Sequence, residues 1–120
     1  MNTAGSKLKN WLHSQKDSSV SFMAEKMLQK KLEPYGQILD FQLNSREHSA
    51  VLQLLLKGET QALTLFVDEY GVTQDKEGSW VTVRRARASR DWLTRALQDF
   101  VVGKPMLIPE QFAGVARLLL

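Results

Sequence analysis

The chain has 120 residues, of which 43% are hydrophobic and 24% charged, with a net charge of +3 and no cysteine. This length suits one domain built around one core, and the missing cysteine excludes disulfides, thiolate catalysis and cysteine-ligated zinc. The N-terminal segment lacks the continuous apolar stretch of a signal peptide, and no apolar run approaches the ~18–20 residues that cross a bilayer. We therefore expect a single soluble domain over residues 1–120, located in the cytoplasm.

Helical spacing dominates the first third of the chain. Residues 1–18 contain three large apolar residues at helical spacing and predict a flexible segment or a short amphipathic helix. A stronger helical pattern runs from Ser19 to Leu32, and Pro34 ends it because the residue before a proline avoids helical geometry. The apolar side of this helix is formed by Val20, Met23, Ala24, Met27 and Leu28.

The pattern then changes to the two-residue alternation of strands. Four such segments lie within residues 37–87, separated by the short polar sequences SREHS, KGET and TQDKEG. Connections this short join antiparallel neighbours, because a parallel pair needs a long crossover. The sequence therefore predicts a four-stranded antiparallel meander.

Two further helices are predicted after the strands. Ser89 is the expected N-cap of the first, whose apolar stripe begins at Trp92 and which Gly103 terminates. Pro109 suits the first position of a final helix. We expect Trp80 and Trp92 to lie in the core. The predicted fold class is α+β, with one or two helices before the meander and two after it packing on the sheet.

The central hairpin is apolar on both of its faces. The alternating leucines lie on one face, and alternation places Val51, Leu55, Phe66 and Tyr70 on the other. Monomeric proteins rarely leave such a patch exposed. Four covers fit this pattern: the protein's own helices around a curled sheet, a second copy packed sheet to sheet, an apolar ligand between sheet and helix, or another protein.

The densest charge cluster lies at the end of the fourth strand and the start of the following helix. Its members are Arg84, Arg85, Arg87 and Arg90, and arginine is suited to bidentate phosphate contacts. The cluster is a candidate anion site, or else a solvated or internally paired group. The small net basic excess argues against a nucleic acid as the partner.

Candidate catalytic residues are sparse. His13 and His48 are expected to be solvent-exposed, and no spacing of acidic residues and histidines suggests a metal site. Asp68 and Glu69 are adjacent on a predicted strand, so alternation sends them to opposite faces and separates them as an acid–base pair. The sequence predicts no enzyme activity, no cofactor and no metal.

Three functional hypotheses follow. The first is a non-enzymatic interaction domain, a homodimer or a binder of another protein, that uses the second apolar sheet face as its interface. The second is a carrier of a small apolar or amphipathic ligand, in which Met23 and Met27 line an adaptable cavity between helix and sheet. The third is anion or nucleic-acid binding through the arginine cluster.

Overall fold

The computed structural model describes residues 21–119, except for the side chain of Leu118. Within this range an antiparallel sheet of five strands in chain order is preceded by one helix and followed by two, which confirms the α+β class. The predicted amphipathic helix within residues 1–18, the start of the next helix at Ser19 and His13 lie outside the described residues. The elements are α1 (residues 21–32), β1 (Gly36–Asn44), β2 (Ser49–Leu56), β3 (Leu63–Asp75), β4 (Gly78–Ala88), α2 (Asp91–Phe100), β5 (Met106–Leu107), a 3-10 turn (Glu110–Phe112) and α3 (Ala113–Leu119).

The fifth strand corrects the prediction of four. Met106 pairs with Val81 and Leu107 with Trp80, at one end of the outer edge of β4. The Ile108 N–H continues the contact by donating to the Ser79 carbonyl at 2.8 Å. A strand of two residues is too short for alternation to be recognised, so no strand was predicted there.

Three extra residues interrupt the strand pairing and curl the sheet. The register shifts at Leu39 in β1, at Asp68 in β3 and at Arg84 in β4. Each shift is a β-bulge, which bends its strand and increases the local twist. The two bulges in β3 and β4 lie close together in the pairing of these strands.

The core lies between one face of this sheet, here called the inner face, and the elements α1, the 3-10 turn and α3. β2 shows the underlying alternation: Ala50, Leu52 and Leu54 are buried, whereas Val51 and Gln53 are exposed. On the helical side the core contains the following buried residues: Met27, Ile108, Val115, Ala116 and Leu119. Thus the inner face is covered by the protein's own helices.

The outer edge of β1 is closed by side chains of α1. The Gln29 carboxamide accepts from the Ile38 N–H at 2.8 Å and donates to the Gly36 carbonyl at 3.4 Å. One amide group thereby reproduces the two bonds that a neighbouring strand would make to this edge. Nearer the other end of β1, the Ser21 hydroxyl accepts from the Leu43 N–H at 3.2 Å. α1 therefore occupies the place of an additional strand.

The outer edge of β4 beyond β5 is closed in the same way by α2. The Thr94 hydroxyl accepts from the Ala88 N–H at 2.9 Å and donates to the Ala88 carbonyl at 3.2 Å. One helical turn later, Gln98 Nε2 donates to the Ala86 carbonyl at 2.9 Å. After the helix, the Gly103 N–H donates to the Val83 carbonyl at 2.8 Å. Because an unpaired strand edge is a template for association, these contacts protect the sheet.

The start of α2 differs from the prediction that Ser89 caps it. The N-cap is Arg90, and no side chain caps the helix there. Ser89 instead prolongs the pairing of β4 with β3: its N–H donates to the Thr64 carbonyl at 2.9 Å, and its hydroxyl accepts from the Thr64 N–H at 3.0 Å. In the sequence, a serine one residue before the N-cap is easily mistaken for the cap itself. In the structure, the N–H and the hydroxyl of Ser89 both bond to Thr64 of β3.

A two-residue turn at positions 76–77 joins β3 to β4 and is organised by Asp75. The Asp75 carboxylate accepts from the backbone N–H of Glu77 at 2.8 Å and of Gly78 at 3.2 Å. Gly78 has a φ of 137°, which a residue with a Cβ rarely adopts. The pKa of the Asp75 carboxyl is lowered, and the nearby Trp80 indole N–H has the largest effect. The two backbone N–H groups lower this pKa further, whereas desolvation raises it. Since Trp80 Nε1 forms no hydrogen bond with the described residues, we attribute its effect to its dipole.

Replacing Thr94 by valine should lower the free energy of unfolding by about 1–2 kcal/mol, because Ala88 loses both of its hydrogen-bond partners. Urea unfolding followed by circular dichroism measures this change. Thr73→Val is the matched control, since Thr73 is exposed on β3, and it should alter stability by less than about 0.5 kcal/mol. Equal effects of the two substitutions would contradict the edge-closing role of Thr94.

Replacing Asp75 by asparagine should destabilise the protein near neutral pH but not at low pH. A folded-state pKa below the unfolded value means that the carboxylate stabilises the fold above the unfolded pKa of about 3.9. That contribution is lost as the pH falls through the folded pKa. Urea midpoints of the two proteins, measured from pH 7 down to acid, should converge at low pH; a gap that does not depend on pH would contradict this.

Candidate interaction surface

The sheet face opposite the core, here called the outer face, carries four apolar side chains that we name the outer patch: Leu39, Val51, Leu55 and Phe66. Val51 lies directly opposite Phe66 in the β2–β3 pairing. Leu55 lies opposite Gln37, and Leu39 is the extra residue of the β1 bulge, next to Asp40, which lies opposite the exposed Gln53. Leu39 is 46% exposed and Val51 37% exposed, whereas Leu55 and Phe66 are partly buried.

The outer patch consists of two apolar pairs with a polar residue between them. Gln53 separates the Val51–Phe66 pair from the Leu39–Leu55 pair, which lie about 13 Å apart along β2. Polar side chains also border the patch on its other sides, namely Asp40, Gln42, Thr64, Asp68 and Arg87. A polar rim around an apolar centre is the arrangement found in protein contact surfaces.

Arg87 is fixed over one of these pairs. Its guanidinium lies 4.1 Å from the centroid of the Phe66 ring, and its Nε lies 3.1 Å from Asp68 Oδ2. A guanidinium over an aromatic face gains electrostatically while its planar group covers apolar surface. The Arg87 guanidinium therefore covers part of the Phe66 ring, and the Arg87 side chain is itself largely exposed.

The other predicted anion-site residues are engaged with neighbours. The Glu69 carboxylate forms two ion pairs. Its Oε1 lies 3.1 Å from Arg85 Nε, and its Oε2 lies 3.6 Å from Arg84 Nη1. Arg84 also lies flat on the Gly71 backbone, where a Cβ would come within 2.6 Å of its Nη2. Arg90 donates to Gln61 Oε1 at 2.8 Å. The cluster is thus brought to one side of β3 and β4, with three of its four arginines in ion pairs to two carboxylates.

Asp68 and Glu69 do not separate to opposite faces as alternation predicted. Asp68 contacts Arg87 and Glu69 contacts Arg85, two arginines that are two residues apart on β4 and therefore share a face. The bulge at Asp68 adds a residue and cancels the alternation at this point. Both carboxylates consequently pair with arginines on the same face of β4.

Tyr70 is not brought together with the outer patch. It is buried in the core, where its hydroxyl donates to the Leu119 carbonyl at 2.9 Å. His48, predicted to be exposed, is partly buried and stacks on the Tyr70 ring with a centroid separation of 4.9 Å. The shift at Asp68 lies between Val67 and Tyr70 in the pairing, which changes the face that sequence alternation assigns to Tyr70.

The two methionines lie on the other side of the sheet from Phe66. Met27 belongs to the buried core, and Met23 packs against it. An open groove lies farther along α1, where the helix meets the ends of β1 and β2; its lining includes Gln29, Glu33, Gln37, Leu55 and Lys57. Neither methionine lines this groove.

The helix α2 exposes two aromatic residues, of which the sequence predicted Trp92 to be core. Trp92 is 58% exposed and Phe100 is 75% exposed, and no residue of α2 is fully buried. The reason is that α2 lies along a strand edge, which covers less of a helix than a sheet face does. A signal was present in the sequence: the apolar stripe of α2 spans about half of the helix circumference, more than one contact surface can bury.

Comparisons with known proteins give no further information, since no family model, no curated protein and no solved structure matches the chain. Within residues 21–119, no three histidine or acidic side chains are grouped as metal ligands. No helix in that range is both long and apolar enough to cross a membrane.

Replacing Tyr70 by phenylalanine should lower the free energy of unfolding by about 1–3 kcal/mol, because the buried Leu119 carbonyl loses its donor. Self-association should not change, since this hydroxyl lies in the core. Tyr35→Phe is the control, because Tyr35 is 67% exposed and the change there should cost less than about 0.5 kcal/mol. Urea unfolding and sedimentation velocity together provide the two readouts.

Proposed function

We propose that the protein is a non-enzymatic interaction domain that forms a homodimer through the outer patch. The observation that carries this proposal is the presence of two apolar pairs on a sheet face that α1 and α2 leave open. Full burial of a valine or leucine side chain contributes about 1.5–3 kcal/mol relative to exposure. Leu39 and Val51, the more exposed members, are 46% and 37% exposed, so covering them supplies the remaining part of this free energy in each protomer.

The arrangement of the outer patch suits a second copy. A two-fold axis passing near Gln53 sets the Val51–Phe66 pair of one protomer against the Leu39–Leu55 pair of its partner. Such an isologous contact uses the same residues twice, and sheet faces packed this way lie about 10 Å apart. In this arrangement the Arg87 guanidinium lies between Phe66 and the partner, where its planar group covers apolar surface while its ion pair with Asp68 is kept.

The two alternative functions find less support in the geometry. A carrier with Met23, Met27 and Phe66 around one cavity requires residues that lie on opposite sides of the sheet. An anion ligand at the arginine cluster has to compete with Asp68 and Glu69 for the same guanidinium groups. Arg90 is the member best suited to an anion, since its observed partner is a neutral amide.

A cytoplasmic location forms part of the proposal. A chain without cysteine needs no oxidising environment to fold. Expression of a fluorescent fusion in the native host would locate the protein.

Replacing Val51 by arginine should weaken the homodimer at least about tenfold in Kd, because two like charges would then enter the two-fold contact. Sedimentation velocity over a range of concentrations measures the association. Gln74→Arg is the matched control: it adds the same side chain at an exposed position near the far end of β3. If Val51→Arg associates as strongly as the unaltered protein while remaining folded, the outer patch is not the interface.

A further inference from the structure

The exposed side of α2 forms a second apolar surface, separate from the outer patch. At about 100° per residue, Trp92, Ala96 and Phe100 follow one another along one side of the helix. Thr94 and Gln98, which bond to β4, lie on the opposite side. The aromatic stripe therefore points away from the sheet edge that anchors the helix.

The stripe has a symmetric composition. Trp92 and Phe100 stand one on each side of Ala96, at equal distances along the helix. An alanine at the centre lets a second helix approach closely, while the flanking aromatic rings provide contact area at both ends. If an identical helix is laid antiparallel with its Ala96 at the same point, Trp92 of each protomer meets Phe100 of the other.

The charges beside the stripe have the same symmetry. Arg95 and Asp99 are both exposed, lie on the same side of the stripe, and form no ion pair with a described residue. The Lys104 ammonium donates to the backbone carbonyl of Asp99, which leaves the Asp99 carboxylate available. In the antiparallel arrangement Arg95 is offset by about 3 Å along the helix axis both from Asp99 and from Arg95 of the partner, so the two-fold contact contains two opposite-charge pairs and one like-charge pair.

We propose that α2 binds α2 of a second copy of this chain as an antiparallel pair centred on Ala96. The contact is isologous and uses none of the residues of the outer patch. It goes beyond the proposed function, because a chain with two independent two-fold surfaces assembles into tetramers or longer arrays. Each contact by itself gives a dimer.

Reversal of one charge tests the pairing without touching the core. Arg95→Glu places the new glutamate opposite Asp99 of the partner on both sides of the two-fold axis. It should weaken association through α2 by about tenfold. The double variant R95E/D99R restores opposite charges and should return the affinity close to that of the unaltered protein. Circular dichroism verifies that α2 and the sheet remain folded in each case.

Sedimentation velocity of five proteins distinguishes association through the two surfaces. They are the unaltered chain, Val51→Arg, Arg95→Glu, the R95E/D99R double variant and Lys76→Glu. Lys76→Glu is the control, because it makes the same change of charge at the exposed β3–β4 turn. A loss of association in Arg95→Glu, restored in the double variant and absent in Lys76→Glu, supports the α2 pair even if Val51→Arg has no effect. Association of Arg95→Glu equal to that of the unaltered chain would overturn it. So would a loss that the double variant does not restore, because Asp99 would then not be the partner.

Discussion

The structure depends on how the two edges of its sheet are satisfied. An edge strand presents backbone N–H and C=O groups that need partners, and an additional strand is the usual solution. Here side chains on two helices take that role: the Gln29 carboxamide acts as a peptide group against β1, and the Thr94 hydroxyl bonds both polar groups of Ala88. These contacts fix where α1 and α2 lie, and so decide which surfaces remain open.

Two open surfaces follow from this placement. α1 at the β1 edge still reaches the inner face through Met27, and α3 completes the cover there through Val115. No described element lies over the outer face, where the guanidinium of Arg87 rests on Phe66. α2, turned to bond the β4 edge, directs its aromatic stripe away from the sheet. The same hydrogen bonds that protect the edges thus account for both candidate contact surfaces.

The elements with a clear period were predictable from the sequence, and the departures have local causes. Alternation identified β2 correctly, with Leu52 inward and Val51 outward. It failed at Tyr70, because the bulge at Asp68 is a property of the strand pairing that no single strand reveals. Trp92 was expected in the core because it lies on an apolar stripe. Such a stripe indicates which side of a helix is apolar, but not how much of that side the neighbouring element covers. Of the proposed contact residues, Val51, Leu55 and Phe66 followed from the pattern, and so did the apolar stripe of α2, whereas the exposure of that stripe required the fold.

The two sheet edges also differ in when they are closed during synthesis. α1 precedes β1 in the chain, so Ser21 and Gln29 are present when β1 leaves the ribosome. Thr94 and Gln98 follow Ala88 by six and ten residues, which takes on the order of a second to translate. During that interval a nascent β4 has nothing along its outer side, and neighbouring nascent chains on the same messenger can add to it. Slow translation of the α2 codons would therefore prolong the interval in which the outer edge of β4 is unpaired.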